Sequence, residues 1–160
     1  MVQQIGEVYE SLKAIEPNDP AFANLQRRYF QTIEKYADAN HGFCLFRTQA
    51  CAQAAVKPLT EMTSMGWRVA HYAIMPNHVH FLAEVTANSA DMHSVLSHWK
   101  GTTARACNQI LQRSGAFWQR DWFDRVIRSE PELQRTIAYI RNNPVKRRLC
   151  TNWKAYKFVK

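Results

Sequence analysis

Residues 67–85 read WRVAHYAIMPNHVHFLAEV. Two runs rich in β-branched and aromatic residues flank Met75-Pro76-Asn77, whose proline presets a turn and withholds a ladder donor. The pattern predicts a hairpin, with strands Trp67–Ile74 and His78–Val85 joined by that turn. No other stretch restricts the fold as tightly. Side chains alternate along a strand, so His78 and His80 share one face while Val79 and Phe81 take the other. Two imidazoles so placed can chelate one divalent ion. The plainer alternative is a pair of hydrogen-bonded histidines on a solvated sheet face.

Elements on either side of the hairpin follow from periodicity and caps. Asp19-Pro20 opens a helix through Phe22, Leu25, Tyr29, Ile33 and Tyr36, which Asn40-His41-Gly42 should end. Residues 42–48, GFCLFRT, read as a short strand. Ala52, Ala55, Val56, Leu59 and Met62 suggest a helix stopping at Gly66, with a kink or late start at Pro58. Ser89 can cap a long helix with the stripe Met92, Val95, Leu96, Trp99, Thr103, Ala106 and Ile110, broken at Gly115. Residues 117–128, FWQRDWFDRVIR, would supply a fourth strand. Ser129-Glu130-Pro131-Glu132 forms a capping box for a last helix that should stop near Asn143-Pro144. The order is helix, β-α-β-β-α-β, helix: an α+β, ferredoxin-like antiparallel sheet with an added N-terminal helix and a C-terminal helix.

With 160 residues the chain suits one domain. Its expected parts are a helical extension (1–40), a ferredoxin-like core (41–128), the last helix (129–145) and a basic tail (146–160). Cys44, Cys51, Cys107 and Cys150 are scattered without a CxxC pair, as expected in a reducing cytoplasm. No signal-like or membrane-spanning run is visible, so the expected location is cytoplasmic. The net charge of +8 is unevenly spread: residues 1–99 hold 7 Lys/Arg and 9 Asp/Glu, residues 100–160 hold 14 and 4. In the second part the basic residues alternate with Phe117, Trp118, Trp122, Phe123, Trp153 and Tyr156. Cations match phosphates and aromatic faces stack on unpaired bases, so this mixture suits nucleic acid.

On the last helix Tyr139 and Asn143 are four residues apart and share a face. Leu133, Ile137 and Ile140 form a different stripe that would meet the sheet, leaving Tyr139 angled away from it. If this helix covers the histidine face, phenol and amide oxygens reach the same ion as the imidazoles. Taken singly, Tyr139 reads as a half-buried tyrosine and Asn143 as a helix C-cap before proline.

MPNHVHFL followed by AYIRNNPVK closely resembles the REP-associated tyrosine transposases, a branch of the HUH single-strand endonucleases, named for a His-hydrophobe-His motif matched by His78-Val79-His80. SHWKGTTARACNQIL and FWQRDWFDRVIRSEPELQRTIAYI are also similar, so the resemblance spans about residues 41–150. It implies that His78 and His80 bind a metal ion, Mg²⁺ or Mn²⁺, and that Asn143 completes its coordination. It further implies that Tyr139 is the nucleophile on single-stranded DNA, leaving a 5′-phosphotyrosine and a free 3′-hydroxyl beside short palindromic hairpins. Arg147-Arg148 depart from the family pattern, in which a small residue and glycine follow NPVK.

Expected DNA contacts are Lys100, Arg105, Arg120, Arg125, Arg128, Arg135, Arg141, Lys146, Arg147 and Arg148, with Arg135 the best phosphate clamp because it lies one turn before Tyr139. Glu84 is an outside candidate ligand. A monomer is expected, with a homodimer as the alternative. The rival functions are a catalytically lapsed, domesticated hairpin-binding protein and a metal-dependent hydrolase that uses water. A zinc deaminase needs glutamate two residues after its histidine, where this chain has His80.

Overall fold

The structure is a computed structural model that describes residues 10–11, 14–16, 19–38, 43–119 and 122–160. They belong to two compact units, divided between Phe43 and Cys44. In the first unit helix α1 spans Pro20–Asp38. Asp19 starts it as the sequence predicts: its carboxylate accepts the Ala21 N–H at 2.7 Å, and its carbonyl accepts that of Phe22 at 2.9 Å. The expected stop at Asn40-His41-Gly42 lies outside the described residues.

The second unit is α+β. Strands β1 (Trp67–Ile74) and β2 (Val79–Val85) form the expected antiparallel hairpin, with Ala73 opposite His80 and a register irregularity between Val69 and His71. The Met75 N–H donates to the His78 carbonyl at 2.8 Å and closes the turn around Pro76-Asn77. Helices α2 (Gln49–Glu61) and α3 (Met92–Ile110) supply Cys51, Ala52, Ala55, Leu59, Val95, Leu96, Trp99 and Cys107 to the main core, against Ile74 and the flanking Tyr72, Val79 and Phe81. Helix α4 (Glu130–Lys146) contributes to a second core, where Ala73, Met75 and Ile140 are buried and Leu82, Tyr139 and Val159 pack around them. Strand alternation separates the two cores: Ile74, Val79 and Phe81 belong to one, Ala73 and Leu82 to the other.

Several local expectations are corrected. Over its described residues the segment 42–48 is no strand. Leu45–Arg47 form a 3₁₀ turn, Phe46 is buried in the main core, and its N–H reaches the Pro76 carbonyl at 3.0 Å. The described residues of 117–128 form a loop instead of a fourth strand. Adjacent aromatics Phe117 and Trp118 both pack on the main core, which a pleated strand with opposite-facing neighbours does not allow. The loop is tied to α3 instead, through Trp118 Nε1 to the Lys100 carbonyl at 2.9 Å and Lys100 Nζ to the Gln119 carbonyl at 2.7 Å. Among the described residues the paired sheet therefore has two strands.

Asp91, not Ser89, caps α3, taking the Ser94 N–H at 2.9 Å and its hydroxyl at 2.6 Å. Ser89 instead lies against Gly66, which has φ +81° and where a Cβ would fall 2.7 Å from the Ser89 Cα, too close to fit. Helix α2 starts at Gln49 and runs through Pro58, so the late start does not occur.

Helix α4 also runs through its proline. Pro144 falls in the last turn, where the helix ends on three bonds: Arg147 N–H to the Asn143 carbonyl, Arg148 N–H to that of Val145, and Leu149 N–H to that of Pro144. The last two make a Schellman closure with Arg148 at φ +55°, the place usually given to glycine. The tail then returns along the free edge of β1: Ile74 N–H donates to the Phe158 carbonyl and Lys160 N–H to that of Tyr72. All four cysteines are free thiols. Among the described residues no helix is long and apolar enough to cross a membrane.

Candidate active site

The hairpin positions the two histidines and α4 brings the phenol and the amide. His78 and His80 lie with ring centroids 4.7 Å apart and nearly perpendicular, and the His80 ring meets that of Tyr139 edge-on at 5.3 Å. The expected common face of His78 and His80 is thus present, and the helix covers it. Tyr139, expected to angle away from the core stripe, packs against the same cluster as Ile140. The fully buried positions of α4 are Ile140, Asn143 and Pro144, while Leu133 and Ile137 are half-buried. The buried stripe is therefore rotated from the expected one, which brings Tyr139 and Asn143 down onto the sheet.

Two features prepare this cluster for a ligand. The Asn77 side-chain oxygen lies 2.9 Å from His78 Nδ1, and in the tautomer in which Nδ1 donates to it, Nε2 is left with the lone pair. Sequence reasoning passed over Asn77; its place immediately before the histidine motif was the available signal. In addition, the His80 Nε2 and both polar atoms of the Asn143 amide are shielded from solvent with no hydrogen-bond partner. An unsatisfied buried amide costs about 1–3 kcal/mol, comparable to what burial of Ile140 contributes. Packing can hold Asn143 there, and a ligand that accepts its oxygen recovers the cost.

Electrostatics keep the imidazole ready to coordinate. Burial, followed by the charges of His78 and Lys146, pushes the His80 pKa down to about 3. At neutral pH the ring is uncharged. Among the described residues no three His, Cys, Asp or Glu side chains converge into a metal site. The available donors are two imidazoles with amide and phenol oxygens, a mixed set that fits a divalent ion with open positions. Glu84 is not among them, because it pairs with Arg68 across the hairpin.

The profile of the IS200-like transposase family matches residues 46–143, from Phe46 of the main core to Asn143. The chain belongs to that family. No curated protein and no solved structure matches it. Membership makes the protein a transposase acting on DNA, and transposases of this family generally depend on a divalent metal ion.

The structure sorts the transposase's basic residues by surroundings. Lys100 holds the 117–119 loop and lies 5.6 Å from the centre of the Trp122 ring. Arg125 pairs with Glu132 at 2.7 Å, and the Arg128 N–H donates to the same carboxylate. Arg141 lies over the Trp153 ring at 4.8 Å. Arg105 donates to the Thr102 hydroxyl at 3.3 Å and stays exposed, as do Arg128, Arg135, Lys146 and Arg148; Arg147 is half-buried. Arg120 lies outside the described residues. Phe117, Trp118 and Trp122, read from the sequence as surfaces for unpaired bases, instead pack against the main core.

Proposed function

We propose that the protein is a metal-dependent, single-tyrosine strand transferase of the REP-associated type, cleaving and rejoining single-stranded DNA at palindromic hairpins. The observation that carries this reading is the ring contact of His78, His80 and Tyr139, with the buried, unpartnered Asn143 amide one turn further along the same helix. Such a set joins a nucleophile to donors for an ion.

In this reading His78 and His80 hold Mg²⁺ or Mn²⁺ through imidazole nitrogens, and Asn143 adds its amide oxygen. When bound, the ion neutralises and orients the scissile phosphate. The Tyr139 oxygen attacks phosphorus as its phenolic proton passes to solvent. The bond from phosphorus to the 3′ oxygen breaks, and that oxygen takes a proton and leaves as a free hydroxyl. The 5′ end stays esterified to Tyr139 until an incoming 3′-hydroxyl attacks it and restores the phenol. A phenol has a pKa of about 10, so a bound cation would be part of its activation. Recognition of the hairpin falls to the basic residues of the second half, and a monomer suffices because one chain carries the full set.

The test is denaturing gel electrophoresis after incubation with Mn²⁺ and a pool of labelled single-stranded hairpin oligonucleotides that includes palindromes flanking the gene. A covalent protein–DNA species is expected. Hairpin binding without any adduct would favour the domesticated binding protein, and turnover without an adduct the hydrolase.

A further inference from the structure

The tail returns to α4 around one aromatic ring. Trp153 and Lys154 lie in a 3₁₀ turn, Trp153–Ala155, which Asn152 caps by accepting the Lys154 N–H at 3.0 Å. The next residue, Tyr156, ties the turn to β1, its hydroxyl donating to the Ile74 carbonyl at 2.8 Å. Half-buried Trp153 is thereby fixed against α4. The centre of the Arg141 guanidinium stands over its ring, 4.8 Å from the centroid, and the Lys154 ammonium lies 5.8 Å from the same point.

Two cations beside one ring repel each other, and the ring's negative face offsets that only in part. No carboxylate supplies the rest. Residues 133–160 hold eight Lys/Arg and no Asp or Glu, and among the described residues neither Arg141 nor Lys154 forms an ion pair. The Arg141 Nε is also shielded from solvent without a hydrogen-bond partner. The cluster therefore lacks an anion. It stands apart from the histidines: successive helical residues turn by about 100°, so Arg141 falls on the flank of α4 away from Tyr139.

We propose that Arg141 and Lys154, set on Trp153, form a phosphate-binding subsite for a DNA strand, separate from the linkage that is cleaved. For its ligand this rests on the hairpin-DNA reading above. A guanidinium held over an indole keeps its planar fork of N–H donors for two phosphate oxygens, and the ammonium adds a compact second charge. The phosphate supplies the anion that the cluster lacks. A strand gripped there and at Tyr139 crosses the breadth of α4, so the subsite sets affinity and register for the strand. Lys154 is outside the contacts expected from the sequence, because only the returning tail brings it to Arg141.

The test compares wild type with Lys154→Met, Arg141→Gln and a control, Lys57→Met, which removes an exposed cation from α2. Affinity for the tightest-binding hairpin oligonucleotide of the flanking pool is followed by fluorescence anisotropy across a salt series. The measurement is repeated with each phosphate in turn replaced by a neutral methylphosphonate. Lys154→Met and Arg141→Gln should each weaken binding by about threefold to tenfold and reduce the salt slope by about 0.7, the share of one phosphate on a single strand. Lys57→Met should match wild type. One methylphosphonate position away from the cleaved linkage should weaken wild type and leave Lys154→Met unaffected, since both changes remove the same contact. Lys154 is exposed, so its replacement tests the contact without disturbing the fold. Affinity and slope equal to wild type in Lys154→Met, or no methylphosphonate position that separates the two proteins, overturns the proposal. So does a Lys154→Met protein that keeps its affinity and loses only cleavage rate. Wild type that binds hairpins without forming an adduct defeats the strand-transferase reading alone, and wild type that binds no DNA defeats both.

Discussion

Single residues carry the sharpest tests. Tyr139 packs by its ring against His80 and the Ala73–Met75–Ile140 cluster. Phenylalanine retains that packing and removes only the hydroxyl. Tyr139→Phe is therefore expected to bind hairpin DNA within about threefold of wild type and to form no covalent adduct on a denaturing gel. Asn143 is a different kind of residue, because its amide is buried without a protein partner. Asn143→Leu, similar in volume, should raise thermal stability slightly in the absence of metal and lower the Mn²⁺ response of cleavage. Loss of stability in the metal-free variant would mean that the amide is already satisfied. Arg148 closes α4 at φ +55°, where a Cβ costs roughly 1 kcal/mol. Arg148→Gly should therefore gain about that much in urea unfolding.

At the scale of elements, the start of α4 decides how Tyr139 is presented. Ser129 accepts the Glu132 N–H at 3.4 Å, and Glu132 reaches back to the Arg128 N–H at 3.0 Å, one residue before the cap. The same carboxylate holds Arg125, so one side chain joins the loop to the helix. The Arg128 bond, then the charges of Arg125 and its neighbours, lowers the Glu132 pKa. A depressed carboxylate contributes stability above its unfolded value, near about 4.3, and that contribution disappears as pH falls through the folded value. Unfolding followed by circular dichroism from pH 7 to pH 3 should show this loss in wild type and a flatter profile in Glu132→Gln. Equal slopes for the two proteins would remove Glu132 from the account. Ser129→Ala should cost about 1 kcal/mol at neutral pH.

At the scale of the whole molecule, the site depends on a sheet packed on both faces. The tail completes it: Val159 packs onto the second core, while Phe158 and Lys160 hydrogen-bond to the β1 edge. Removing residues 157–160 is expected to lower the unfolding midpoint and expose that edge to association, measurable by light scattering. An unchanged midpoint and a monodisperse truncated protein would count against it. The concentration of positive charge in residues 100–160 belongs to this scale too. Hairpin affinity should fall steeply with salt, in proportion to the phosphates neutralised; a nearly flat plot would mean that the basic half is only a solvated surface.

What the sequence determined by itself was local. The Met75-Pro76-Asn77 turn, the shared face of His78 and His80, the Asp19 start, Gly66 and the Ser129 cap each depend on residues within about one turn or one strand pair. Backbone sterics and short hydrogen bonds settle such features without the rest of the chain. Tertiary structure decided whatever required competition between distant partners. Residues 117–128 have strand-like composition, yet Phe117 and Trp118 gain more by burial together beside Phe46 and Trp99 than by alternating across a pleat. Asn143-Pro144 reads as a helix stop, since proline withholds an N–H and restricts the residue before it. Burial of Ile140, Asn143 and Pro144 against the hairpin outweighs that cost, with the terminal carbonyls satisfied by Arg147, Arg148 and Leu149. That one packing decision rotates Tyr139 onto the histidines. This placement is not written in the spacing of residues along the chain, because it follows from which face of α4 the sheet accepts.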